Sequence, residues 1–117
     1  MNWELNNDRP IYTQLVEHLK LLIVTGYYEP GSKLPSVRDI AADAAVNPNT
    51  MQKALTELER CGLVFTQRTT GRFITEDEHM INDTKINIAN EVITTFLDQM
   101  KKLGYTKEET IKLLENE

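Results

Sequence analysis

The stretch Pro30-Gly31-Ser32-Lys33-Leu34-Pro35-Ser36-Val37-Arg38-Asp39-Ile40-Ala41, followed by Asn47-Pro48-Asn49-Thr50-Met51-Gln52-Lys53-Ala54-Leu55, decides the fold of this chain. Pro30-Gly31 is its strongest local breaker. Ser36 then opens a short helix to about Asp43, with Asp39 three residues on as a shortened capping box. Asn47-Pro48 is a second start signal. The Asn side chain accepts from an orphan amide of the first turn, and Pro has no amide to leave unsatisfied at the first helical position. That helix runs to about Arg60, with Met51, Ala54, Leu55 and Leu58 facing inward, and Gly62 closes it. Joined by the tight turn Ala44-Ala45-Val46, the two helices form a helix-turn-helix.

Upstream, Ile11, Leu15, Leu19, Leu22 and Ile23 recur at three- and four-residue steps. That spacing predicts an amphipathic helix from about Pro10 to Thr25, capped by Asn7 or Asp8 and ended by Gly26. Downstream, Leu63 to Gln67 and Arg72 to Thr75 read as two short strands around the tip Arg68-Thr69-Thr70-Gly71. The fold class expected is therefore mainly α with a small β-hairpin: a winged helix-turn-helix over residues 1–75. The acidic segment Glu76 to Asn82 marks the boundary of a helical tail over residues 76–117. In the tail Ile86, Ala89, Ile93, Phe96, Met100 and Leu103 step alternately by three and four, the seam of a heptad repeat. Gly104 ends that helix, and Thr106-Lys107-Glu108-Glu109 is a capping box for a last short one.

Hydrophobic content of 40% and charged content of 26% within 117 residues suit one folded domain or a small domain with an appendage. The net charge of −5 divides unevenly. Residues 1–75 hold eight basic and eight acidic side chains, and residues 76–117 hold five basic and ten acidic, so the whole excess is in the tail. The first segment can still present a basic face, because charges beyond a Debye length of about 8 Å are largely screened. No apolar run approaches the roughly 18 residues of a membrane span, and Met1-Asn2-Trp3-Glu4 does not begin a secretory leader. With one cysteine, Cys61, and only His18 and His79, neither a disulfide nor a metal set is expected. A reducing, cytoplasmic setting follows. No Gly-rich phosphate loop and no nucleophile–base set suggests an enzyme or a cofactor.

A second helix held by such a turn can enter the major groove of DNA. Its exposed start would carry Asn47, Asn49, Thr50, Gln52 and Lys53. Free amides and the helix dipole there favour phosphate, and Asn and Gln match adenine bidentately. Asn47 serves first as a cap, and Lys53 suits a phosphate. Arg38 is the principal base reader, because a guanidinium fork fits guanine O6 and N7. Ser36 is placed for a phosphate, and Arg68 and Arg72, flanking the tip, for a neighbouring minor groove.

These blocks, above all Leu34-Pro35-Ser36-Val37-Arg38, Asn47-Pro48-Asn49-Thr50 and Gly62-Leu63-Val64, resemble the DNA-binding domain of the GntR family of bacterial transcription regulators over about residues 10–75. The resemblance implies a homodimer on a palindromic double-stranded DNA operator. It supports Ser36, Arg38, Asn49, Thr50 and Gln52 on the helices, and Arg68, Thr69, Thr70 and Gly71 at the wing. Two positions depart from the pattern: Thr69 stands where the family often has the first Gly of Arg-Gly-x-Gly, and Asp43-Ala44-Ala45 where a Leu-Gly type of turn is common. The short tail is similar to that of the YtrA subfamily, in which helices mediate dimerisation, so Ile86, Ala89, Ile93, Phe96, Met100 and Leu103 are the expected dimer contacts.

Plainer readings stand beside these. The seam could fold back on residues 106–116 as a hairpin, although an operator reader gains from two-fold symmetry. Trp3, Tyr12, Tyr27 and Tyr28 could line a ligand pocket but suit packing better; sensing of a small-molecule effector at the dimer interface would be an addition to DNA binding. His18 and His79 read as surface groups, and Cys61 as an inert thiol near the core. A winged domain that docks proteins through its acidic tail is the rival function.

Overall fold

The computed structural model describes residues 3–116. Helix α1 spans Ile11–Val24 and buries Leu15, Leu19, Leu22 and Ile23. Its start differs from expectation. Neither Asn7 nor Asp8 caps it, because Pro10 occupies the cap position and no side chain bonds the first turn. The buried Gln14 tethers the entering chain instead. Its Nε2 donates to the carbonyls of Asn6 (2.8 Å) and Arg9 (2.9 Å), and its Oε1 accepts from the Asn6 amide (2.9 Å). A buried amide side chain satisfied at both ends supports the fold rather than straining it.

Helix α2, Val37–Ala44, starts as read: Ser36 Oγ accepts from the Asp39 amide at 3.1 Å. Helix α3, Pro48–Arg60, starts with Asn47 Oδ1 accepting from the Asn49 amide at 2.7 Å. Between them Ala45 takes the left-handed conformation (φ 57°, ψ 46°) that a Gly would adopt without steric cost. An L residue there costs roughly 1–2 kcal/mol, so the turn keeps its geometry without the glycine and gives up some stability. Met51, Ala54, Leu55 and Leu58 are fully buried against α1, α2, Leu63, Val64 and Ile74.

Strands β1, Val64–Gln67, and β2, Gly71–Ile74, pair antiparallel from Val64↔Ile74 to Gln67↔Gly71. A third extended piece completes the wing. The Leu34 amide donates to the Arg72 carbonyl and the Ile74 amide to the Ser32 carbonyl, each at 2.9 Å, and Lys33 bridges Phe73. Strand β2 is thus the middle of three rather than the edge of two.

Helices α4, Glu78–Lys102, and α5, Lys107–Glu115, follow. The chain divides into two compact units, one running to Thr84 and one beginning at Lys85. The first extends past the expected boundary at residue 75 because the acidic segment is largely helix. Asp77 Oδ1 accepts from the Met80 amide at 3.1 Å, and Ile81 is buried in the first unit's core. Met80 lies over Gly62, where a Cβ would meet its methyl carbon at 3.1 Å and where φ is +87°. In the second unit the Thr106–Glu109 capping box forms in full.

Among the aromatic residues, Trp3 lines a surface cleft beside Leu5, Ile11, Val46 and Thr50, while Tyr12 and Tyr28 serve in packing. Trp3, Tyr12 and Tyr28 lie on the core, Tyr27 is exposed, and Tyr28 meets it edge-on at 5.2 Å. Trp3 also donates through Nε1 to Asp43 Oδ2 at 2.8 Å and lies tilted over His18, with ring centroids 4.3 Å apart. His79 is a surface group paired with Asp83, but His18 is not. It is half-buried, and its Nε2 is buried with no hydrogen-bond partner among the described residues. Loss of hydration pushes its pKa below the ordinary 6.5, against the opposing charge of Glu4. The folded state therefore resists protonation, so this contribution to stability is present above about pH 6.5 and is lost as the pH falls below it. We expect the melting temperature to drop between pH 7.5 and 5.5 by more in the parent than in His18→Gln. Parallel pH profiles would show that His18 does not carry the effect.

Candidate nucleic-acid interface

The N-termini of α2 and α3 bring together most of the predicted contacts. Ser36, Arg38, Asn47, Asn49, Gln52 and Lys53 are exposed, and Thr50 is half-buried. Capping does not consume Ser36 or Asn47. Each accepts one backbone N–H, which leaves the Ser36 hydroxyl proton and the Asn47 amide group to donate. Gln52 reaches Thr56 Oγ1 only at 3.5 Å, too long to hold its amide in place. An exposed donor set at a helix start is suited to phosphate through dipole and free N–H groups, and to base edges through its amides.

The cations sort by partner. Arg9 pairs with Glu17, Arg60 with Glu57, and Arg72 with Glu59. Lys33, Arg38, Lys53 and Arg68 make no ion pair among the described residues. Lys20 on α1 and the lysines of the second unit are likewise in no ion pair, so it is by position, on the two helix starts and the wing, that these four stand out.

At the wing tip, Thr70 donates its amide to the Gln67 carbonyl (3.2 Å) and its hydroxyl to Gln67 Oε1 (2.9 Å). The tip is therefore a closed turn, with Arg68, Thr69 and Thr70 all exposed. Gly71 has φ +119°, and the Lys33 side chain passes 3.0 Å from where a Cβ would stand. A side chain at 71 would be strained by its backbone alone, at a cost of about 1–3 kcal/mol.

Arg72 is placed differently from Arg68. Its Nε donates to Glu59 Oε1 at 2.7 Å, with both side chains largely covered. The guanidinium is engaged on the last turn of α3 and is not a free flank of the tip. Lys33 is the residue the sequence reading passed over. Alternation of exposed Lys33 with buried Leu34 after Gly31 was the signal, but two residues are too few to declare a strand.

The second unit carries a different surface. Along α4 the seam residues Ile86, Ile93 and Phe96 are 49%, 52% and 36% exposed; Ala89 is also exposed, and Met100 is half-buried. Leu103 lies just past the helix end at 73%. Helix α5 does not cover this face; its own Ile111 and Leu114 are exposed as well. Apolar side chains are thus left exposed at three- and four-residue steps along one helix of the single chain. No helix of the described residues is long and apolar enough to cross a membrane.

The model of the gntR family of bacterial regulatory proteins matches residues 11–74. Over 112 residues the chain is 40% identical to the uncharacterised HTH-type transcriptional regulator YhcF of Bacillus subtilis, covering 96% of this chain and 93% of that protein. It is 39% identical over 97 residues to the HTH-type transcriptional repressor YtrA of the same organism, covering 83% and 70%. Among solved structures, a GntR family transcriptional regulator from Listeria monocytogenes superposes with a TM-score of 0.89 at 40% identity, over 97% of this chain and 99% of that one.

Proposed function

The chain belongs to the gntR family of bacterial regulatory proteins, a class of DNA-binding transcription regulators and not of enzymes, and on that premise we propose a dimeric repressor reading a palindromic operator. One observation carries the reading: two capped helix starts, joined by a tight turn, present Arg38, Asn49, Gln52 and Lys53 exposed, with Arg38 and Lys53 in no ion pair among the described residues. Arg38 and the start of α3 supply base discrimination. Ser36, Thr50, Lys53 and the tip Arg68 to Gly71 supply contacts that position the protein on the backbone.

Dimerisation rests on the α4 seam. A two-fold axis through Ile86, Ala89, Ile93, Phe96, Met100 and Leu103 would bury in each protomer an apolar face that its own helices leave open. It would also match a symmetric DNA site. Repression is the activity for which the relative YtrA is named. Such a protein works on the chromosome, in the cytoplasm.

Selection of random duplex DNA by the full chain, sequenced at two salt concentrations, tests this reading. We expect a two-fold symmetric motif with half-sites about one helical turn apart, recovered less efficiently at high salt. Recovery of no motif at either salt would refute the operator reading and favour protein docking through the acidic tail. Isolated half-sites would refute the dimer.

A further inference from the structure

We propose that Glu59 and Arg72 are a positioning pair that locks the wing to the recognition helix, so that the two DNA-reading elements dock as one rigid piece. The proposal rests on the operator-binding reading above and assigns within it a role to Glu59, an acidic residue in the last turn of α3.

The geometry is specific. Arg72 Nε donates to Glu59 Oε1 at 2.7 Å, with the side chains 22% and 30% exposed respectively. Water is largely displaced from the pair, which strengthens the charge interaction and holds both side chains to one arrangement. Among the described residues it is the ion pair that joins α3 to the wing; the Arg9 and Arg60 pairs do not link these elements. Arg72 lies within β2 opposite Thr66, and its carbonyl accepts from the Leu34 amide. Fixing this one residue therefore fixes all three extended pieces of the wing.

Glu59 lies in the last turn of α3, whose first turns carry Asn49 to Lys53. A 13-residue helix is about 20 Å long at 1.5 Å per residue. It transmits the angle set at one end to the reading groups at the other. Two contacts held at a fixed separation bind DNA more tightly than two that must be ordered on arrival, because the ordering entropy is already spent.

The rival role for Arg72, a direct phosphate contact, predicts the opposite sign for its partner. Removing the Glu59 charge would then free the guanidinium and tighten binding. As a positioning pair, both members matter in the same direction and through the same structure.

The test uses the full chain on its selected operator, with hydroxyl-radical footprinting for the wing and guanine methylation protection for the major groove. Glu59→Gln and Arg72→Met are each expected to lose protection at the wing site and about 5- to 20-fold in affinity, with major-groove protection retained. The double variant is expected to lose no more than the worse single, since the pair acts as a unit. Thermal melting identifies any variant that merely unfolds, and the nearly isosteric Glu59→Gln keeps the test available if Arg72→Met does. Unchanged wing protection in Glu59→Gln, tighter binding by it, or fully additive losses would overturn the pair. Failure of the parent chain to protect any DNA would instead overturn the operator reading itself, and this assignment with it.

Discussion

Ile93→Glu is expected to convert the protein to a monomer and to lower affinity for a palindromic operator by roughly 100- to 10,000-fold, the range that linking two sites confers. Ile93 stands at the middle of the α4 seam and is 52% exposed in the single protomer. In a two-fold interface each substitution appears twice, on both sides of one axis. Two carboxylates would then enter an apolar seam with no cation to meet them, and an unpaired charge removed from water costs several kcal/mol. Every 1.4 kcal/mol is tenfold in the dimer constant. The substitution leaves the winged unit alone, because Ile93 lies in the second compact unit. Sedimentation velocity at micromolar protein, with gel shift on full and half operators, reads both effects. A variant that still sediments as a dimer would remove this face from the interface.

Arg38→Ala is expected to cut preference for the operator over random DNA sharply while leaving the fold intact. The guanidinium is exposed and makes no ion pair among the described residues, so its loss removes neither packing nor a structural bridge. A bidentate Arg–guanine pair discriminates by about 1–3 kcal/mol, and a symmetric operator uses it twice. The preference should fall by roughly 30-fold to 10,000-fold. Lys53→Ala provides the contrast: it weakens binding to all sequences about equally and lowers the salt slope by about one per protomer. Competition binding against operators altered one base at a time separates the two. Operator preference that survives Arg38→Ala would exclude it as a base reader.

Locally determined features were legible in the sequence. The Ser36, Asn47 and Thr106 caps each bond an amide within three residues, and the inward face of α3 repeats with the helix period. Such features depend on spacing along the chain, and spacing is what a sequence displays. The start of α1 departs from its sequence signal for a reason of the same kind. Asn7 and Asp8 are good capping types, but Pro10 sits between them and the helix, and the buried Gln14 holds the segment from inside. Residue type suggested a role that register did not allow.

Spacing along the chain is enough to set a capped helix-turn-helix with a wing, a heptad helix after it, and polar donors at the two helix starts. Which charges are already taken, and where the first unit ends, depend on the packed fold. Arg72 meets Glu59 across 13 residues and Trp3 meets Asp43 across 40. Lys33 joins the wing through Phe73, and Ile81 extends the core beyond the acidic segment. The physical reason is that a cap or a period is set by neighbours within a turn or two. The partner of a charge, or the burial of an isolated Ile, depends on which distant surface the packed core brings alongside.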